Sequence, residues 1–436
     1  MSAWLWKGRA EAFLISGRCR TEASVLALDH VHAEPEPRTP MSILPPPPLR
    51  TDGSNDFAFY SMRERVPRIA RETMDRNPDY PAAVRDAVER LAAAIEQNSP
   101  LPTPRFPAAD VPAWTAAHNE HAHETWLDAE WFHAELAFYR ELAHACRFWE
   151  TGRDPFAPVK HEELSGERPW SRLEAALALA GGTREERIAA LLDACLWGNR
   201  VDLSYTVAAS RAHRGEGDLL VDERGAAVGF LARGGSRVHV VADNAGTELA
   251  LDLALVGAIL EEPQSTATLH LKMQPMFVSD AMPRDVWDLI GRMCGQGRGV
   301  LGSLAGQLDA CFASGRLVLA PDPFWSGPRF FRELPPHLRA ALASATIVVL
   351  KGDVNYRRLV GDALWPPATP LAQACAYTPA PLVCLRTMKS DPVAGLPEGL
   401  AESLDATHPK WRIDGQRAVV QTIVPRGDDS ALFVAR

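Results

Sequence analysis

Four short apolar runs in the C-terminal half of this chain end on residues that can do chemistry. "RVHVVAD" runs into Asp243-Asn244, and "ATLHLKMQ" is followed by "PMFVSDA" with Asp280. "ATIVVL" ends in Lys351-Gly352-Asp353, and "PLVCL" leads into Arg386 and Lys389. Asp243, Asn244 and Asp280 offer only oxygen ligands, which suit Mg²⁺ or Mn²⁺ with water completing the shell. No His or Cys stands beside them, so zinc is less suited. Gly246 lets a bound group approach the backbone, and the helix-like stretch behind it offers free N–H groups to an anion. The cations Lys351, Arg357, Arg358, Arg386 and Lys389 gather on the other two run ends. A divalent cation among Lys and Arg suits a phosphoryl group. Each feature has a plainer reading. Asp-Asn after a strand is often only a turn and helix cap, Lys351-Gly352-Asp353 reads equally as a solvated turn, and Arg386 and Lys389 as surface charge. Four polar ends on successive strands favour a functional crevice.

The elements that must position these residues follow from the pattern. After about residue 200, β-branched runs alternate with helical stretches, which implies parallel pairing in an α/β sheet. Ligands of open α/β sheets bind outside the carboxyl ends of the strands, so the four ends converge. Leu249, Leu253, Val256 and Leu260 give the helix after Asn244 its buried face. Before residue 200 the pattern is helical, as in "LDAEWFHAELAFYRELAHACRFWE". Thr183 and Glu186 form a capping box. Ile188, Leu191, Leu192, Cys195 and Leu196 then fall on one helix face. The expected fold is α/β, a helical N-terminal domain packed on a C-terminal α/β domain with a largely parallel, doubly wound sheet. The expected boundaries are a disordered or linker tail over 1–56, a helical domain over 57–200, and an α/β metal- and phosphate-binding catalytic domain over 201–436. The tail is rich in Pro, and Met41 is an alternative start.

Composition narrows the partners. The chain has 436 residues and a net charge of −9, which weighs against nucleic acid. No apolar run approaches the roughly 20 residues of a membrane helix, and the N-terminal stretch is too interrupted by charge for a signal peptide. Seven scattered cysteines without a C-x-x-C pair fit reduced thiols in a cytoplasmic protein. "HNEHAH" (118–123) reads as a solvated helix surface. "GQGRG" (295–299) is no dinucleotide fingerprint, and neither G-x-S-x-G nor a Walker A sequence occurs.

Taken together, "ADNAGTELALDL", "FVSDA", "KGDVNYRRLVGD" and "LRTMKSD" resemble the metal-dependent damage-control phosphatase family. They look most like its third subfamily, marked by R-T-x-K, here Arg386-Thr387-Met388-Lys389. "FAFYSMRERVPRI", "WFHAELAFYREL", "DPFAPVK" and "LWGNRVDLS" fit as well, so the resemblance runs from Phe57 to the "WRIDGQRAVVQTIV" tail. "EWFHAELAFYRE" departs from the family, which tends to carry a Cys-Tyr pair and a second Arg there, so the helical wall of the pocket is not covered by the resemblance.

By motif, the resemblance implies Asp243, Asn244 and Asp280 as metal ligands. It implies Asp353, Val354, Asn355, Tyr356, Arg357 and Lys389, with Asp243 and Asn244, as the substrate-binding set, and adds Asn199 and Asp202 to the pocket. Asp243, Asp353 and Lys389 are the expected catalytic residues. The implied cofactor is a divalent metal, Mn²⁺ first, with Mg²⁺, Co²⁺ or Ni²⁺ as alternatives. The implied partner is a small phosphorylated sugar of the fructose 1-phosphate or fructose 6-phosphate type, hydrolysed by water, with neither nucleic acid nor membrane involved. The alternatives are an S-adenosylmethionine-dependent protein carboxyl methyltransferase, as another name of the subfamily implies, and a non-catalytic sugar-phosphate sensor.

Overall fold

The structure is a computed structural model that describes residues 45–104, 108–198, 218–295 and 299–425. Seven strands form one sheet in the order β1-β7-β6-β5-β2-β3-β4. They are β1 (Leu219–Asp222), β2 (Arg237–Val241), β3 (Thr266–Leu271), β4 (Leu317–Pro321), β5 (Ile347–Lys351), β6 (Leu382–Thr387) and β7 (Ala418–Ile423). Every neighbouring pair is parallel except β6 with β7. The sheet is therefore mostly parallel, with a helical N-terminal region packed beside it.

The central strands are apolar throughout because both sheet faces are covered. Alternation assigns each face. Val238, Val240, Ile347, Val349, Val383 and Leu385 enter one hydrophobic cluster. Val241, Val348, Leu350, Leu382 and Cys384 enter another. The helix Gly246–Leu260 after β2 lies in the first cluster, and the helix Asp353–Val360 after β5 lies in the second. Neighbouring strands thus send their helices to opposite faces. The gap between β2 and β5 is the topological switch point of the sheet, the place where open α/β sheets bind their ligands.

All fifteen residues of Gly246–Leu260 are buried. A helix with apolar residues on every side must be covered all round, and its Glu248 and Asp252 are buried against Lys351. Its outer side packs against the helices Ala157–Ser165, Arg168–Leu179 and Arg184–Trp197. These three helices precede residue 200 yet share the hydrophobic cluster of the sheet, so the change of sequence pattern near 200 marks no seam in the packing. The expected capping box at Thr183 and Glu186 is present.

The earlier helices form their own cluster. Val66–Asp75, Ala82–Glu96 and Trp131–Ala145 bury Met62, Val88, Trp131, Phe132 and Leu136 together. Met276 joins that cluster from the loop after β3. Part of the segment expected as tail is docked here. Leu49 is buried, its N–H donates to the Asp362 carbonyl at 2.8 Å and its carbonyl accepts from Trp131 N–H at 2.8 Å.

Candidate metal and phosphate site

At the switch point, two loops are stitched together. Asn244 and Asp280 form an isolated antiparallel bridge. Ala245 N–H donates to the Ser279 carbonyl at 2.7 Å, and Ala281 N–H to the Asp243 carbonyl at 2.8 Å. The bridge needs a sharp turn before it, and Phe277 and Val278 take positive φ angles of 46° and 69°. A β-branched residue there is strained. The helical layer holds the strain in place, with the Phe277 ring 4.7 Å from that of Tyr139. Lys160, from the helix Ala157–Ser165, adds a polar clamp. Its ammonium donates to the Asp280 carbonyl (2.9 Å), to Asp154 (3.0 Å) and to Asp285 (2.9 Å).

The three expected metal ligands are brought together by this stitching. Asn244 Nδ2 donates to Asp243 Oδ2 at 2.8 Å, and Asn244 Oδ1 accepts from the Ser279 hydroxyl at 2.6 Å. Asp280 is buried, and its Oδ2 has no hydrogen-bond partner; the Lys272 ammonium stands 3.4 Å away. Gly352, with φ +82°, backs directly onto Asp243, and a Cβ there would stand 2.0 Å from Asp243 Oδ2. Burial, then the nearby Glu248 and Asp280 charges, push the Asp243 carboxyl well above the usual carboxylate range. Burial likewise lifts Asp280 to about 6, against the pull of Lys272. Crowded, buried carboxylate oxygens, with Asp280 Oδ2 held only by the Lys272 ammonium at 3.4 Å, fit a hard divalent cation, which would relieve that repulsion. Among the described residues no three His, Cys, Asp or Glu converge as a metal group, so a cation at Asp243 and Asp280 would need the Asn244 carboxamide as well.

The cations around the crevice are less alike than their residue types implied. Lys351 points away from it, to Asp252 (2.9 Å), Glu248 (3.3 Å) and the Cys195 carbonyl (2.8 Å). Arg357 holds Asp362 through Nε at 2.7 Å and Nη2 at 3.0 Å, and Glu135 through Nη1 at 2.6 Å, with Trp131 3.6 Å beneath its guanidinium. Arg358 donates to the carbonyls of Gly327, Arg329 and Trp325. Arg386 binds Asp353 through Nε at 2.8 Å. Of these five cations Lys389 alone is exposed, and its charge acts on Asp243.

Two expected roles are corrected by this geometry. Asp353 is not free to orient a water. Its Oδ1 accepts from Arg386 and from Lys389 N–H at 3.2 Å, and its Oδ2 from the Ser390 hydroxyl at 2.6 Å. Burial works against its charge, but Arg386 and the Ser390 hydrogen bond outweigh it and hold the carboxyl below its ordinary value. Asp353 therefore anchors the loop that carries Lys389. Arg357 is likewise no exposed clamp for phosphoryl oxygens, because two buried carboxylates occupy its donors. Asn355 fastens the crevice floor, donating to the carbonyls of Ala242 and Lys351 at 3.1 and 2.8 Å. Tyr356 is buried and hydrogen-bonded to Gln421 at 3.2 Å, and Val354 packs against the helical layer. What the 353–357 stretch can present is its first helical turn, whose N–H groups have no partner within the helix. The helix after β2 differs: its Thr247 N–H already donates to Glu163 at 2.9 Å.

Asn199 and Asp202 lie outside the described residues, as do residues 296–298 of "GQGRG". "HNEHAH" is not simply a solvated surface. His121 stacks on the buried His133 with ring centroids 4.2 Å apart and pairs with Glu124 at 2.8 Å, while Glu124 also holds Arg50 at 2.9 Å. The residues that sequence reasoning missed are Lys160, Glu248 and Lys272. Glu248 had a visible signal, a carboxylate in the first turn of the helix that follows Asn244; the other two carry none without the fold.

The damage-control phosphatase ARMT1-like domain matches residues 61–404. Curated relatives include the damage-control phosphatase ARMT1 of Xenopus laevis, 27% identical over 86% of this chain and 98% of that protein. That of Homo sapiens is 24% identical with the same coverage. Among solved structures, a DUF89 family protein from Pyrococcus horikoshii superposes with a TM-score of 0.48 at 14% identity, over 85% of this chain and 99% of that one. With the family match spanning most of its length, the chain belongs to the damage-control phosphatase ARMT1-like family.

Proposed function

We propose that this phosphatase hydrolyses small phosphorylated sugars, of the fructose 1-phosphate or fructose 6-phosphate type, with a divalent metal held by Asp243, Asn244 and Asp280 and Mn²⁺ as the first candidate. The observation that carries the reading is the stitched pair of loops, which joins three hard-oxygen ligands at the switch point beside the exposed Lys389. Bound there, a divalent ion supplies Lewis acidity toward phosphoryl oxygens and water.

The protein's own groups do the rest. Phosphate monoester hydrolysis depends on positioning and charge stabilisation. Lys389 offers a mobile ammonium to a phosphoryl oxygen. The pairing of Asp353 with Arg386 and Ser390 fixes the loop from which that ammonium reaches. The first turn of Asp353–Val360 directs N–H groups at the same oxygens. With Asp353 committed, Asp243 is the carboxylate left to orient the attacking water. The sugar class rests on the R-T-x-K resemblance. The described free cysteines suit a cytoplasmic setting, and no helix among the described residues is long and apolar enough to cross a membrane.

The test is a screen of phosphorylated metabolites with Mn²⁺, Mg²⁺, Co²⁺ and Ni²⁺ after chelator treatment. Phosphate release from fructose 1-phosphate or fructose 6-phosphate is expected, abolished by chelation and restored best by Mn²⁺. Full activity in excess chelator, or release from no sugar phosphate, would overturn the reading.

A further inference from the structure

We propose that Glu248 is a positioning residue that decides which end of the Asn244 carboxamide faces the metal, an inference that rests on reading Asn244 as a ligand. A carboxamide serves a hard cation through oxygen only, yet its two ends have nearly the same shape. Asn244 Nδ2 donates to Asp243 Oδ2 at 2.8 Å and to Glu248 Oε2 at 2.9 Å. Both amide hydrogens are thereby spent on acceptors that, when ionised, have no hydrogen to return. Turning the amide over would set Oδ1 against two carboxylate oxygens. Oδ1 is thus kept off those two oxygens; the Ser279 hydroxyl takes one of its lone pairs at 2.6 Å, and the second would be open to a cation shared with Asp243 and Asp280.

Glu248 can do this because it is itself held. It stands in the first turn of Gly246–Leu260, four residues after Asn244, and is buried. Its Oε1 lies 3.3 Å from the Lys351 ammonium, which is anchored in turn by Asp252 and the Cys195 carbonyl. The end of β5 therefore reaches the Asn244 amide through Lys351 and Glu248. Partners of metal ligands typically matter by about 10–100-fold in metal affinity.

The test is a titration of the full chain with Mn²⁺, reading free Mn²⁺ by electron paramagnetic resonance, on the wild type and on Glu248→Gln, Asn244→Asp, the double variant and Asp280→Ala. Glu248→Gln should weaken Mn²⁺ binding by about 10–100-fold, because glutamine can turn a donor toward Asn244 and release the lock. In the Asn244→Asp background the sign should reverse. Residue 244 then has no hydrogens to give, so Glu248→Gln supplies a missing donor and Mn²⁺ binding is kept or tightened. Equal weakening in both backgrounds would overturn the proposal, since direct ligation, loss of charge or loose packing acts alike in each. No weakening in the wild-type background would also overturn it. Should Glu248→Gln not fold, Glu248→Asp withdraws the carboxylate from Asn244 while keeping its charge; at least tenfold weaker binding is expected, and wild-type affinity overturns the idea. Undiminished Mn²⁺ binding by Asp280→Ala would instead remove the metal-site reading, and the Glu248 role with it.

Discussion

Gly352→Ala places one methyl group where the crevice has no room for it. The backbone at Gly352 has φ +82° and ψ 174°, a region essentially reserved for glycine, so strain of about 1–3 kcal/mol is expected for any other residue. The added Cβ would also stand 2.0 Å from Asp243 Oδ2 and 2.1 Å from its Cγ. Ordinary carbon–oxygen contact begins beyond about 3 Å, so the Asp243 carboxylate must retreat by roughly 1 Å. Displacements of that size at a reacting centre cost about 10²-fold. Gly352→Ala should therefore lose at least that much in turnover and bind Mn²⁺ more weakly, with a thermal midpoint lower by a few degrees. Gly152→Ala separates the two effects. Gly152 also has positive φ, +68°, but a Cβ there meets nothing within 4 Å. With ψ 6° it lies in the left-handed helical region, where a side chain costs about 1–2 kcal/mol, so it should lose stability without losing activity or metal. The assay is phosphate release against Mn²⁺ concentration for both variants, with midpoints by calorimetry. Near-normal turnover and Mn²⁺ affinity in Gly352→Ala would refute the placement of Asp243 in the site.

Lys389→Ala should lower turnover on the best sugar phosphate by about 10²–10³, as loss of an oxyanion donor does, while metal binding survives and stability stays within about ±0.5 kcal/mol; near-normal turnover would mark Lys389 as surface charge. Asp353→Asn should lose stability as well as activity, because removing half of a buried pair costs about 3–5 kcal/mol; lost turnover at an unchanged thermal midpoint would return Asp353 to a direct catalytic role. His133 and His270 are buried, and burial pushes both down to about 3. Unfolded histidine titrates near 6.5, so below that pH the unfolded chain holds the extra protons and stability falls as pH drops toward 3. Each should cost somewhat under ~2 kcal/mol between pH 6.5 and 5, partly offset by Asp280, whose raised carboxyl gains stability over the same window; a His133→Phe variant whose midpoint falls with pH as steeply as the wild type's would contradict this.

The central strands were legible because they are buried on both faces. β2, β3, β5 and β6 read as continuous apolar runs ending in polar residues, and those ends meet at the crevice. β1 and β4 escaped notice as the sheet's edges, with mixed burial, and β7 was hidden in a tail read only by resemblance. The helices between 157 and 197 looked like part of an N-terminal domain since an amphipathic face does not reveal its partner, here the helix Gly246–Leu260. The cations show the same limit. Arg357 is visible as a charge near a strand end, but Glu135, which neutralises it, lies 222 positions away. The resemblance implied a catalytic Asp353, and nothing local in the sequence shows that Arg386 and Ser390, 33 and 37 positions away, engage it. Lys389 stays exposed, and among the described residues no carboxylate is paired with its ammonium.

The central claim is the position of the metal. An anomalous difference map from crystals grown with Mn²⁺ tests it most directly. The account predicts one strong peak within coordination distance of Asp243, Asn244 Oδ1 and Asp280, on the side of the sheet from which Lys389 reaches. A peak elsewhere, or none at these three residues at saturating Mn²⁺, would contradict it.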